Sequence, residues 1–258
     1  MKELKEKISV IMPACNEAGH IVSSIEETAR TFNNFGCSWE LIVLDDGSVD
    51  ETFKLASELV KSYPQQLIVK KNAFNMGKGR ALRNALKYAS GGYVVFLDAD
   101  LDLHPSQIST LFDIMQLNDA DVVIGSKLHA NSVVNYPFQR RVVSYFYYLL
   151  VKALFNLPCH DTQTGLKLFK AKVLRRVFPL ITVRKFAFDL EILANAHRLG
   201  FRIIEAPIVL DPKRRFGGHI GLQAIFTTVI DTLAVFYRMN FLKYYDRIDR
   251  NRGKGLAK

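Results

Sequence analysis

Tyr93-Val-Val-Phe-Leu-Asp-Ala-Asp-Leu-Asp102 is the stretch on which the reading of this 258-residue chain turns. It begins as an apolar run of strand length and delivers three carboxylates, Asp98, Asp100 and Asp102, where that strand ends. Carboxylates crowded at one strand end repel one another unless a cation stands among them. Mg²⁺ meets that need, because it takes one or two carboxylates and completes its octahedron with phosphate oxygens and water. A solvated acidic turn after an ordinary strand is the plain alternative.

The flanking sequence repeats the same plan. Residues 8–12, 40–44, 67–70, 93–97 and 121–125 read as strands, and 18–34, 50–62, 77–90 and 105–117 carry helical periodicity. Repeated βα units predict an α/β fold, a mostly parallel sheet covered by helices on both faces. Ligands of such sheets bind beyond the carboxyl ends of the strands. The distinctive residues stand there in turn: Pro13-Ala14-Cys15-Asn16-Glu17, Asp45-Asp46-Gly47-Ser48-Val49-Asp50, Asn75-Met76-Gly77-Lys78-Gly79, then Asp98–Asp102.

Each motif has a chemical and a bland reading. Asn16 and Glu17 either offer hydrogen bonds to a nucleobase and ribose or cap the following helix. A turn needs one aspartate, so the Asp45-Asp46 doublet leans toward a pyrimidine N–H or a ribose hydroxyl, while Asp50 is placed to cap the next helix. Gly77-Lys78-Gly79 brings backbone N–H groups and a point charge to an anion. It is neither GxxxxGK[ST] nor GxGxxG, which weakens kinase and dehydrogenase readings. Asp161-Thr-Gln-Thr-Gly-Leu-Lys167 and Phe188-Asp-Leu-Glu191 are a turn and a helix start, or together the floor of an acceptor pocket. Lys213-Arg214-Arg215-Phe-Gly-Gly218 is a solvated basic run, or a loop that closes on a diphosphate with Arg215.

Charge divides the chain. Residues 1–135 hold 13 Lys and Arg against 17 Asp and Glu, whereas 136–258 hold 22 against 8. The second half therefore faces something anionic. No helix-turn-helix, zinc-finger or RNP pattern accompanies it, so nucleic acid is not expected as the partner. Residues 140–157 and 220–245 are apolar and aromatic with basic ends, the composition of helices lying in a membrane interface, or of buried core or dimer helices. No run reaches the length of a typical transmembrane helix, no long apolar secretory core opens the chain, and the tail from 247 reads as charged and frayed. Three cysteines (15, 37, 159) without metal spacing read as reduced thiols of a cytosolic compartment.

Taken together these motifs resemble the family-2 glycosyltransferases of GT-A (Rossmann-like) fold, and within them the polyprenyl-phosphate sugar synthases. The matching pieces are PACNE (13–17), DDGSVD (45–50), GKGRA (77–81), DADLD (98–102), GSK (125–127), DTQTGLKLF (161–169), FDLE (188–191) and RFGGH (215–219). The 161–169 loop looks more like the glucose-type than the mannose-type synthases. The resemblance implies transfer of a hexose, with UDP-glucose favoured over GDP-mannose, to a polyprenyl (dolichyl-type) phosphate, with another lipid or glycan acceptor as the runner-up. It implies a GT-A catalytic domain over 1–218 with an interface helix near 140–157, and C-terminal amphipathic membrane-interface helices and tail over 219–258. The enzyme would lie peripherally on the cytoplasmic face of a membrane.

The resemblance also implies roles. Asp100 and Asp102 hold Mg²⁺ or Mn²⁺. Pro13, Ala14, Asn16, Glu17, Asp45, Asp46, Ser48, Lys78, Asp98 and Ala99 bind the nucleotide-sugar, with Asp98 near the ribose and Asp45 near the base. Asp98, Asp100, Asp189 and Arg215 are catalytic, and Lys127, Arg140 and Arg141 hold the acceptor phosphate. Departures from the family pattern are Cys15 for a tyrosine, Asp102 for the frequent glutamine, Lys127 for an arginine, and His219-Ile220 for Ser-Lys.

Overall fold

The computed structural model describes residues 6–134, 138–183, 187–210 and 222–255, with the backbone alone at 138–140, 222–224 and 251–255. All five runs read as strands in the first half are strands: β1 (Ile8–Ala14), β2 (Trp39–Asp45), β3 (Leu67–Lys71), β4 (Tyr93–Phe96) and β5 (Val122–Ser126). The second half adds β6 (Lys167–Lys170) and β7 (Ile203–Pro207), giving one seven-stranded sheet of order β3-β2-β1-β4-β6-β5-β7. Every pairing is parallel except those of β6, which runs antiparallel to both β4 and β5.

That reversed strand positions the site. A strand entering from the carboxyl edge of its neighbours must run against them, and β6 does so directly after the 161–166 loop. Lys167 pairs in register with Phe96 and with Ile124, so the loop before it lies beside the residues that follow β4 and β5.

The helices are α1 (Ile21–Phe35), α2 (Thr52–Glu58), α3 (Lys78–Ala85), α4 (Ile108–Leu117), α5 (Phe138–Phe155), α6 (Ala171–Val177), α7 (Phe188–Arg198), α8 (Leu222–Asn240) and α9 (Tyr244–Gly255). Alternation along the strands divides their side chains between two cores. Val10, Met12 and Val43 face Ile25, Phe32 and Phe112 on one side. Ile11, Ile42, Phe96 and Phe169 face Leu82, Leu174 and Phe188 on the other. All seven residues of β2 are buried, as expected of a strand covered on both faces.

Three expectations need correction. The predicted helices 50–62 and 77–90 tighten into 3₁₀ turns at Leu59–Lys61 and Leu86–Tyr88. Helix α6 was not anticipated, because it follows β6 without a loop. The tail, expected to fray from 247, is helical to Gly255. It is held by Arg198–Asp246, by Arg176–Asp249 at 2.9 Å, and by the fully buried Tyr245. Among the described residues no single helix is long and apolar enough to cross a membrane. A pair bent by 54°, Ile225–Asn240 with Tyr244–Arg250, meets the length and composition together.

The Phe169 ring is fully buried and stands 5.0 Å from that of Phe96. Phe169→Ala is expected to cost about 3–5 kcal/mol of stability, read as a lower urea midpoint at unchanged slope.

Candidate active site

The first two strand-end loops interlock. Asn16, held left-handed at φ 57°, donates its N–H to Ser48 Oγ at 2.9 Å, and its side chain accepts from Val49 N at 3.0 Å. Glu17 N donates to Thr52 Oγ1 at 2.8 Å, and α1 begins only later, behind His20, so Asn16 and Glu17 do not cap it. Asp50 accepts from Thr52 N at 3.0 Å and from Ala18 N at 3.1 Å, bridging the two loops at the start of α2.

The aspartate doublet divides its work. Asp46 accepts from Asn72 Nδ2 (2.7 Å), Met76 N (3.0 Å) and Gly77 N (2.8 Å), and so shapes the 72–77 loop. Gly47 is required where that loop passes: at φ 72° its Cβ would lie 2.3 Å from the Phe74 carbonyl carbon. Asp45 is fully buried. Its Oδ1 accepts from the Ser48 N–H and hydroxyl, while Oδ2 makes no hydrogen bond and has the Lys71 ammonium 3.4 Å away.

One amide of the 77–79 turn is committed within the chain. The Gly77 N–H is taken by Asp46, and Gly79 is small because the Phe188 ring lies against it, 2.5 Å from a would-be Cβ. Lys78 delivers the charge, with Nζ 2.6 Å from Asp98 Oδ1. Burial alone would lower the Lys78 pKa, but Asp98, Asp189 and Asp100 outweigh it and hold it above the ordinary value. Burial would raise Asp98, yet Lys78, with Lys167 and Lys127, holds its carboxyl below the usual carboxylate range. Glu17 moves the other way, raised first by burial and then by the charge of Asp100.

The acidic loop is aimed from beneath. Leu101 adopts φ 50°, a conformation costing roughly 1–2 kcal/mol for a non-glycine residue. Leu101 and Leu103 are buried in the core, the Asp102 N–H reaches Asp100 Oδ1 at 3.1 Å, and Ser24 Oγ holds the Ala99 carbonyl at 2.5 Å. Across the rim, Gly165 permits contact: a Cβ there would lie 2.0 Å from Asp98 Oδ2.

Three clefts follow one another along this edge. The first, about 460 Å³, is lined by Pro13, Ala14, Glu17, Lys78, Asp98 and Asp100, with Asp46 and Ala99 also on its wall. The middle one, about 200 Å³, is lined by Asp98, Asp100, Asp102, Lys127, Gln163 and Thr164. The last, about 530 Å³, combines Lys127, Arg141 and Ser132 with Val142, Tyr145 and Phe146 of α5. Asp98 and Asp100 belong to both of the first two, and Lys127 to both of the last two.

Most of the sequence-predicted residues among those described gather along these clefts, whereas Asn16, Asp45, Ser48 and Asp189 line none of them. Lys127 Nζ lies 3.4 Å from Asp161, which accepts from Lys127 N at 3.1 Å and from Thr164 Oγ1 at 2.6 Å. Arg141 is exposed and donates to the Val134 carbonyl at 3.1 Å. Asp189 is buried and paired with Lys167 Nζ at 2.7 Å. The Arg215 position and the Arg140 side chain lie outside the described residues. Lys167, which also donates to the Thr164 carbonyl, was missed. A lysine inside an apolar strand is almost never fully buried unless paired, and that was the available signal.

Among the described residues no three Asp, Glu, His or Cys side chains form a metal-holding group. Asp100 and Asp102 share the middle cleft, however, and Mg²⁺ or Mn²⁺ bound with a diphosphate needs only one or two carboxylates. The donor set fits an ion that arrives with substrate phosphates, rather than a protein-caged one.

Fold and rim together define a GT-A-like architecture. The model of the glycosyl transferase family 2 matches residues 9–178. The dolichyl-phosphate beta-glucosyltransferase of Dictyostelium discoideum is 32% identical over 213 residues, 78% of this chain and 65% of that protein. The enzyme of the same name from Saccharomyces cerevisiae is 31% identical over 219 residues, 78% and 66% respectively, so the chain spans just under two thirds of either relative. Glucosyl-3-phosphoglycerate synthase from Mycobacterium tuberculosis, solved with Mn²⁺, UDP and phosphoglyceric acid, superposes with a TM-score of 0.67 at 22% identity over 90% of this chain and 78% of that one. The chain belongs to glycosyl transferase family 2.

Lys167→Met takes away the ion-pair partner of the buried Asp189 and is expected to cost about 3–5 kcal/mol. Lys167→Met with Asp189→Leu should recover most of that loss in denaturant unfolding. A double variant no more stable than the single one would mean that the pair is not the source.

Proposed function

We propose that this protein transfers a hexose, glucose in preference to mannose, from a nucleotide diphospho-sugar to the phosphate of a membrane polyprenol, inverting the anomeric carbon. The observation that carries this reading is the serial arrangement of the three clefts. An acid-and-lysine cleft suits a nucleotide diphosphate, a small polar cleft suits the reacting sugar, and a cleft with cations at one end and aromatics at the other suits a phosphorylated lipid. The names of the relatives point the same way.

The chemistry asks for placement more than for a base. A phosphate monoester is already an anion at neutral pH, so its oxygen attacks C1 directly while the bond from C1 to the diphosphate breaks and the electron pair leaves with the nucleotide. Lys127, Arg141 and Arg140 hold the incoming phosphate. Pro13, Ala14, Asn16, Glu17 and the Asp45–Ser48 turn cradle the nucleoside, with Asp98, kept ionised by Lys78, beside the ribose. Asp100 and Asp102 hold Mg²⁺ or Mn²⁺, whose charge, when bound, neutralises the leaving diphosphate. Asp189 is fixed by Lys167, and we assign Arg215 to the diphosphate.

The lipid substrate places the enzyme at a membrane. Tyr145, Phe146 and Leu149 of α5 and Phe226, Ile230, Leu233 and Tyr237 of α8 are exposed apolar residues on two helices that pack together. We assign this face to the interface of the cytoplasmic leaflet, with Arg141, Lys243 and Arg247 near anionic headgroups, each contributing roughly 1 kcal/mol.

Incubation with labelled UDP-glucose, GDP-mannose and other nucleotide sugars, Mg²⁺ and polyprenyl phosphate should label the lipid from UDP-glucose. Asp100→Ala should lower that rate at least about a hundredfold. Transfer from GDP-mannose alone would correct the sugar, and transfer to no lipid phosphate would remove the reading. The protein should float with phosphatidylserine vesicles at low salt, and Phe146→Asp with Phe226→Asp should leave it in the pellet.

A further inference from the structure

Glu191 has no work in the reaction proposed above, yet it is fully buried. Its place in the first turn of α7 needs no such burial, since an exposed acid there already complements the helix dipole. Its carboxylate is saturated. Oε2 accepts from Thr182 N at 2.9 Å and Val183 N at 2.8 Å, and Oε1 accepts from Thr182 Oγ1 at 2.8 Å and the Tyr245 hydroxyl at 2.5 Å. Arg238 Nη1 stands 3.8 Å from the same oxygen and donates to Thr182 Oγ1 at 2.9 Å.

These donors come from three places. Thr182 and Val183 lie before α7, Arg238 is near the end of α8, and Tyr245 opens α9. Glu191 thus ties the start of α7 to both C-terminal helices at the point where they bend. Two residues earlier on the same turn, Asp189 carries the Lys167 pair, and Lys167 holds the carbonyl of Thr164, which walls the middle cleft. α8 also bears the exposed Phe226, Ile230 and Leu233, while its buried Thr232 meets Tyr147 of α5 at 3.0 Å.

We infer that Glu191 is a positioning residue, a latch through which the seated α8–α9 pair fixes the first turn of α7 and with it Asp189 and Lys167. The consequence for turnover rests on the proposed reaction; the mechanical link does not. A carboxylate–ammonium pair displaced by about 1 Å from its working place costs on the order of a hundredfold in rate. Movement of α8 on a membrane would reach Asp189 by this route. The tail is then part of the catalytic unit rather than an appendage behind it.

Tyr245→Phe tests the latch, because it removes one hydroxyl and leaves the ring in place. In the full-length protein, hydrogen–deuterium exchange of the 187–195 segment should quicken at least about tenfold, and kcat for lipid transfer should fall about tenfold with KM for the nucleotide-sugar unchanged. Ile25→Val, a core variant on the opposite face of the sheet, should keep wild-type kcat and wild-type exchange in 187–195. Wild-type exchange of that segment in Tyr245→Phe overturns the latch, as does an equal kcat loss in Ile25→Val at equal thermal loss. Quickened exchange in a protein that transfers no sugar overturns the proposed reaction and keeps the latch.

Discussion

Negative charge collected at one edge of a sheet has to be balanced, and here much of the balance comes from within the chain. Asp45, Asp98, Asp100, Asp102, Asp161 and Asp189 all lie at or near the carboxyl edge. Lys71, Lys78, Lys127 and Lys167 reach back toward them, with separations of 2.6 Å at Lys78–Asp98 and 2.7 Å at Lys167–Asp189. Coulomb attraction at the first of these contacts holds the Asp98 carboxyl below and the Lys78 ammonium above their ordinary values. The rim can therefore be acidic and still fold, and it keeps cations close to where an anionic ligand would lie.

That balance depends on topology. With β4 and β5 adjacent, the 161–166 loop would have no reason to cross the edge. Inserting β6 between them, reversed, carries Thr164 and Gly165 over Asp98 and seats Lys167 against the Thr164 carbonyl and Asp189. The glycine at 165 allows the loop to touch the Asp98 carboxylate, and Phe188 against Gly79 brings α7 up to α3. The middle cleft, walled by Gln163, Thr164 and Gly165, follows from this one strand.

Much of this was legible residue by residue. Five apolar runs ending in Pro13, Asp45, Lys71, Asp98 and Ser126 marked the strands, because a buried parallel strand has to be apolar until it meets the rim. The place of β6 was not legible, since strand order depends on packing partners far away in sequence. Lys167 was hidden by its own chemistry: in the alternation Leu-Lys-Leu-Phe a lysine reads as a solvent-facing position, and only its pairing with Asp189 accounts for its burial. The tail misled for the opposite reason. Tyr244–Gly255 lacks a broad apolar face, and its helix is held by Arg198 and Arg176, partners 48 and 73 residues distant.

Leu101 carries a wider consequence. It holds a left-handed turn that glycine would hold more easily, and it is kept there by its own and Leu103's burial. The direction in which the acids point is thus inherited from greasy neighbours that carry no charge of their own. A homologue with an untouched Asp-Ala-Asp signature but a thinned core under the turn would carry its charges on a misdirected loop. Silent members of such a family are to be sought in their leucines as much as in their aspartates.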